Sequence, residues 1–209
     1  MEARTTKPRD QTEAQRLGSE IREVRKARGL TLSDLSEQVD CSLAYLSRIE
    51  RGTTRVSVEL LRGISEALAV DPAWFFPKMS GSGPLERSHI VRSGARRPLS
   101  GMYTRSSEEL GFEDELLSSS LSGECYLLLS RFPPGIGAPV EKPEGYAFEG
   151  EQHGLVLTGE IMLILGGEEI ILRQGDSFSY PSTIPHRFLN NVARESTMVW
   201  AMAPVRISW

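Results

Sequence analysis

Groups able to do chemistry are few in this sequence and widely spaced. Three histidines (His89, His153 and His186) and two cysteines (Cys41 and Cys125) are its whole stock of imidazoles and thiols. No Ser/His/Asp or Cys/His set, glycine-rich phosphate loop or paired-carboxylate signature accompanies them, so the common covalent and phosphoryl-transfer chemistries have no constellation to run on. What the sequence does hold is basic side chains on predicted helices. Arg22, Arg25, Lys26 and Arg28 form one run, and Arg48 and Arg51 close another segment. Guanidinium groups suit phosphates and guanine edges. The first run is open to two readings, a phosphate-facing stripe or a solvated helix face.

Composition sets the frame for these groups. With 39% hydrophobic and 25% charged residues the chain reads as soluble and globular. No apolar run approaches the roughly 18 residues of a membrane helix, so a membrane partner is not expected. The opening MEARTTKPRDQTEAQR is polar and reads as a flexible arm, not a secretory signal. Two cysteines in different domains argue against a disulfide framework and for a reduced, cytoplasmic setting. The net charge of −4 is unevenly spread: residues 1–78 hold 13 Lys/Arg against 12 Asp/Glu, and the remainder 11 against 16. Nucleic-acid binding by the first part would therefore rest on where its cations stand, not on a strong basic field.

The elements that must position these groups fall into two kinds. Between Gln15 and Phe76 the apolar spacing is helical: Leu17, Ile21 and Val24, then Leu35 and Val39, Leu46 and Ile49, and Leu60, Ile64 and Leu68. Thr31 with Asp34, Ser42, Ser57 and Asp71-Pro72 supply start signals, and Gly29 and Gly52 supply stops. Four short helices and a fifth stub at Trp74-Phe75-Phe76 are expected. Past a small-residue linker the runs shorten and become β-rich: 88–92, 125–132, 154–158, 160–165, 168–173, 177–180, 186–190 and 196–203. Gly166-Gly167 marks a two-residue hairpin. The stretch 100–120 is ambiguous. The predicted organisation is an arm (1–13), a helical domain (14–77), a linker (78–87) and an all-β domain (88–209) of sandwich or small-barrel type.

Residues 29–52, GLTLSDLSEQVDCSLAYLSRIERG, resemble the helix-turn-helix of the phage-repressor-like (XRE) transcription factors, and the likeness continues through SVELLRGISEAL and DPAWFF. Leu46 and Ile49 would turn the helix of residues 42–50 inward and leave Leu43, Ala44, Ser47 and Arg48 open, so that its N-terminal half can enter a major groove. The resemblance implies that Leu43, Ala44, Tyr45 and Arg48 face base edges, with Arg48 the best reader of guanine. It places Ser42, Arg51 and Thr53 near phosphates, and Arg55 beside them. Leu32 stands where the family often has a backbone-holding glutamine. The competing reading makes the helices a protein-interaction module, with Arg48 paired only to Glu50 or to solvent.

Residues 144–190 resemble the cupin fold, a jelly-roll β-barrel, as found fused to helix-turn-helix domains. Gly175, Pro181, His186 and Asn190 carry its second motif, with Thr183 in place of a usual glycine, while Gly145 and Gly159 frame the first. Metal-binding cupins hold two histidines and a glutamate in that first motif. Counting back from Gly159 puts Tyr146, Phe148 and Gln152 there, so the resemblance leaves His186 as the single inherited ligand. A transition metal needs three or four donors, and no metal or other cofactor is expected. His153 is adjacent to Gln152 and so should face away from it. Arg131 is inward-facing or bridged to a glutamate. His186 is either a fixed core histidine or a ligand-facing one. The expectation is a homodimeric regulator that binds double-stranded operator DNA, whose Tyr146, Phe148, Gln152 and His186 bind a small effector of unknown identity, and which is not an enzyme. Two alternatives stand beside it: a metal-dependent oxygenase or epoxidase of the cupin type, and a barrel that only dimerises the DNA-binding heads.

Overall fold

The computed structural model describes residues 12–76, 86, 89–99, 102, 110–135 and 145–205. Most of the expected arm and of the 78–87 linker lies outside them. The chain divides into two compact units, Met1–Arg96 and Arg97–Trp209.

The first unit is helical: α1 (Glu13–Ala27), α2 (Leu32–Gln38), α3 (Leu43–Glu50), α4 (Val58–Ala67) and a 3-10 turn at Pro72–Phe75. Local chemistry starts each one. Thr31 and Asp34 form a reciprocal capping box on α2, which holds the Asp34 carboxyl below its ordinary range. Ser42 caps α3, Ser57 caps α4, and Asp71 caps the 3-10 turn. Thr12, read from the sequence as part of the arm, is the N-cap of α1 in a second capping box with Gln15. Ile21, Val24, Leu35, Leu46, Ile64 and Leu68 fill the core, joined by Trp74 and Phe75. Residues 89–92, expected as a strand, are not one. Ile90 donates its N–H to the Glu86 carbonyl (2.9 Å), four residues back, as in a helical turn.

Among its described residues the second unit forms two antiparallel sheets, built from β1 (Arg97–Pro98), β2 (Glu113–Leu116), β3 (Tyr126–Phe132), β4 (Glu151–Thr158), β5 (Glu160–Leu165), β6 (Glu168–Arg173), β7 (Ser177–Pro181), β8 (His186–Leu189) and β9 (Ser196–Ala203). One sheet runs β1-β2-β3-β9-β4-β7 and the other β6-β5-β8. Gly166 and Gly167, both at positive φ, turn β5 into β6 with Leu165 opposite Glu168. Strand alternation sorts the side chains into rows across the six-stranded sheet. One buried row is Tyr126, Met202, Gln152 and Tyr180; the next is Leu116, Leu128, Trp200, Gly154 and Phe178; a third is Asp114, Ser130, Met198 and Val156. β8 closes on these rows from the other sheet, with Phe188 against both Phe178 (5.4 Å between ring centroids) and Trp200 (6.4 Å). The acidic β2 falls in the ambiguous stretch and becomes a strand through its pairing with β3. Arg131 takes the outer parity of β3 and reaches Glu115 (3.5 Å) and Glu195 (3.7 Å).

Candidate functional site

Helix α3 is held from behind and open in front. Leu46 and Ile49 are buried, and α1 lies so close behind them that a Cβ on Gly18 would fall 2.2 Å from the Ile49 carbonyl oxygen. Glu50 turns back to a buried, two-pronged ion pair with Arg25 of α1 (2.6 and 2.9 Å), and Arg25 also donates to the Leu30 carbonyl (2.7 Å). Arg28 donates to the carbonyls of Leu68 and Ala69 (both 2.9 Å) at the end of α4. The basic run on α1 is thus divided. Arg22 and Lys26 are exposed, whereas Arg25 and Arg28 hold the bundle together, which corrects both readings of them as outward cations.

With Glu50 committed to Arg25, Arg48 does not pair with it. Arg48 is exposed and its guanidinium lies 5.7 Å from the centroid of the Tyr45 ring. Leu43 (50% exposed) and Ala44 are open, and Tyr45 and Ser47 are half-buried. Ser42 accepts from the Tyr45 N–H (3.2 Å), which satisfies one of the otherwise unpaired amides of the first turn. Arg51 donates back to the Ser47 carbonyl (3.1 Å), and the Thr53 hydroxyl donates to the Arg48 carbonyl (3.1 Å). Tyr45 also reaches the carbonyl of Arg55 at 3.5 Å, and Arg55 itself is exposed. Of the residues expected at DNA, Ser42, Leu43, Ala44, Arg48, Arg51, Thr53 and Arg55 are thus exposed and Tyr45 and Ser47 half-buried.

In the second unit Gln152 and His186 come together across the two sheets. The imidazole Nδ1 lies 2.8 Å from the Ile184 carbonyl, which can only accept, so Nδ1 carries the proton and Nε2 presents a lone pair. The Gln152 amide donates to that lone pair at 2.9 Å, and the Tyr180 hydroxyl donates to the Gln152 carbonyl at 3.0 Å. A directed chain results, Tyr180 to Gln152 to His186 to Ile184. Burial holds the His186 imidazole below its ordinary pKa, working against the raising effect of the Ile184 carbonyl, and burial pushes the Tyr180 phenol well up. Phe148 meets the imidazole edge-on at 5.3 Å, and the Tyr180 ring is tilted against it at 5.0 Å. Tyr146 forms the backbone bridge to His186, with N–H to O distances of 2.9 Å both ways. His153 faces outward beside Glu151 (3.5 Å).

Known families match both units. A helix-turn-helix family matches residues 21–75 and a cupin domain matches residues 131–202. The chain joins an XRE-type helix-turn-helix domain to a cupin domain. Among curated proteins, the HTH-type transcriptional regulator SlrR of Bacillus subtilis is 33% identical over 37% of this chain and 56% of its own length. The chain thus spans little more than half of that relative. The HTH-type transcriptional regulator PuuR of Escherichia coli is 20% identical over 90% of this chain and 94% of its own. Among solved structures, hydroxypropylphosphonic acid epoxidase from S. wedmorenis covers 91% of this chain and 97% of its own at 16% identity and a TM-score of 0.41. A likeness that slight has no bearing on activity.

The cupin domain can be tested for the metal that its fold family often holds. The side chains at the places where the resemblance puts the ligands do not fit one. Phe148 offers no donor atom, and Gln152 turns its amide hydrogen, not its oxygen, toward His186. The imidazole lone pair that would bind an ion is already in use. Tyr180 is the member of this chain that reading the ligand places alone leaves out. Its signal was strand alternation, since Phe178 and Tyr180 share the inward parity of β7. Asn190, part of the second cupin motif, spends its amide on the carbonyls of Phe132, Pro133 and Arg194 (2.8, 3.0 and 2.8 Å) and braces a loop.

Proposed function

We propose that this chain is a cytoplasmic, homodimeric DNA-binding transcriptional regulator and not an enzyme. Its α3 helix reads operator DNA in the major groove, and its cupin domain, a jelly-roll barrel formed by the two sheets, binds a small effector beside Tyr146, Phe148, Gln152 and His186. The observation that carries the DNA reading is the anchoring of α3: its rear is fixed by Leu46, Ile49 and the Arg25–Glu50 pair, while Leu43, Ala44 and Arg48 stand open. A helix presented that way is a major-groove reader in helix-turn-helix proteins. Curated relatives named as HTH-type transcriptional regulators support the same reading. One such head contacts few bases, so two half-sites read by a symmetric dimer are the expected arrangement.

Selection of binding sequences from a random DNA pool, followed by footprinting, tests this. The expected product is a two-fold symmetric site with half-sites about one helical turn apart. A protein that enriches no sequence and remains monomeric in sedimentation would overturn the proposal.

A further inference from the structure

Ser182 carries a hydroxyl buried in the cupin domain with no hydrogen-bond partner among the described residues. It lies between exposed Pro181 and Thr183, is itself 0% exposed, and keeps the inward parity of Phe178 and Tyr180. Its backbone is occupied: the N–H donates to the Gly150 carbonyl (2.7 Å), and the carbonyl accepts from the Phe148 N–H (2.9 Å). Its Oγ has no hydrogen-bond partner among the described residues. Buried polar groups in folded proteins are nearly always bonded, so an orphaned one beside a candidate binding site points to a partner that comes from outside. The neighbouring polar side chains behave differently. Tyr180, Gln152 and His186 are already hydrogen-bonded to one another.

We propose that Ser182 is the polar anchor of the effector site, bonding through its hydroxyl to an oxygen of a small, uncharged and largely apolar molecule whose ring packs against Phe148 and Tyr180. The proposal rests on the effector reading of this domain. The ligand class follows from the surroundings. The rings of Phe148, Phe178 and Tyr180 offer an aromatic wall, and one neutral hydroxyl cannot offset the desolvation of a full charge.

The experiment is a thermal-shift and calorimetric titration of the full chain with acetophenone, benzyl alcohol, toluene and benzoate. The two uncharged oxygen-bearing probes should raise Tm and bind more tightly than toluene, and benzoate should give no shift. Ser182→Ala should bring acetophenone down to the affinity of toluene, a loss of about tenfold. The same variant without ligand should be at least as heat-stable as the parent, because it removes an unbonded hydroxyl. Ser179→Ala, exposed on the outer side of β7, serves as the control and should change neither quantity. Acetophenone binding that survives Ser182→Ala, toluene binding as tightly as acetophenone, or a ligand-free Ser182→Ala protein that melts earlier would each overturn the assignment of Ser182. A parent protein that none of the four probes stabilises would instead overturn the effector reading itself.

Discussion

In the helix-turn-helix domain the buried ionic groups serve to hold open ones in place, whereas in the cupin domain Gln152, Tyr180 and His186 turn inward and satisfy one another. Arg25 and Glu50 give up solvent and clamp α1 to α3, and Arg48 and Leu43 on the far side of α3 stay free of the fold. Across Gln152, Tyr180 and His186 each functional group is spent on its neighbour, and the imidazole Nε2 that serves metal in related folds accepts from an amide. The first arrangement leaves hydrogen-bonding capacity unspent at the surface. The second withdraws it.

The sharpest way to break this contrast is to remove the clamp. Glu50→Ala leaves the Arg25 guanidinium buried without its counter-charge and should destabilise the helical domain by about 3–5 kcal/mol. Replacing both partners, as in Arg25→Met with Glu50→Leu, should cost far less, since no charge is then stranded. Urea denaturation followed by helix circular dichroism measures both variants. A single mutant as stable as the double would mean that the pair does not hold α3.

The open side of α3 gives the next effect. Arg48→Ala should cost about 1–3 kcal/mol of operator affinity and relax choice at one base pair, while Arg51→Ala should weaken all sequences alike and lower the salt slope by about one. Fluorescence anisotropy against a panel of single-base operator variants, repeated over a range of salt, separates the two. If Arg48→Ala kept full base preference, the reading surface would lie elsewhere on the domain.

How far these contrasts could be read in the sequence depended on how local their causes are. Capping is chemistry within four residues, so Thr31, Ser42, Ser57 and Asp71 declared their helices. Thr12 and Gln15 carried the same signal, but a charged, polar context made them look like part of an arm. The destinations of Arg25 and Arg28 were not legible, because their partners lie 25 and about 40 residues away and only packing brings them near. Gln152 and His186 could be placed from strand parity and motif spacing. That the amide would bond the imidazole and close the metal position depends on the approach of two sheets, which no periodicity encodes. β2 was hidden for a related reason. Its sequence, EDEL, has little intrinsic strand preference and owes its conformation to β3, while its Asp114 is buried to accept from Ser130.

Within the cupin domain, Gln152→Leu should destabilise by about 1–3 kcal/mol, since it strands the Tyr180 hydroxyl and the His186 lone pair together. The thermal denaturation of the isosteric Gln152→Glu is a useful companion. It keeps the acceptor for Tyr180 but replaces the donor that His186 requires, so it should lose stability at neutral pH and recover part of it in acid, where the carboxyl takes up a proton. A Gln152→Leu protein with unchanged Tm would show that the hydrogen-bond chain contributes nothing to holding the sheets together.

The smallest expected effect is also the most specific to His186. Burial lowers its pKa in the folded protein, so the unfolded chain, with an ordinary value near 6.5, takes up a proton first as pH falls. The sign follows: the unfolded state binds more protons in this range, so stability rises with pH. The contribution is complete above about pH 6.5 and drains away as pH falls from there toward the lower folded value. One group can tilt the curve by at most about 1.4 kcal/mol per pH unit. The protonated imidazole would also turn an N–H at Nε2 against the Gln152 amide, donor against donor, unless the amide rotates and Tyr180 gives up its acceptor. Tyr180 stays neutral throughout, because burial pushes its phenol far above this range. Denaturation of the parent and of His186→Gln between pH 5 and 8 isolates the effect as a difference, which removes the carboxylates and the outward-facing His153 common to both. A difference curve that is flat across that range, or that falls with rising pH, would mean that His186 is not the buried, neutral acceptor at the end of the chain from Tyr180, and the contrast between the two domains would lose its cupin half.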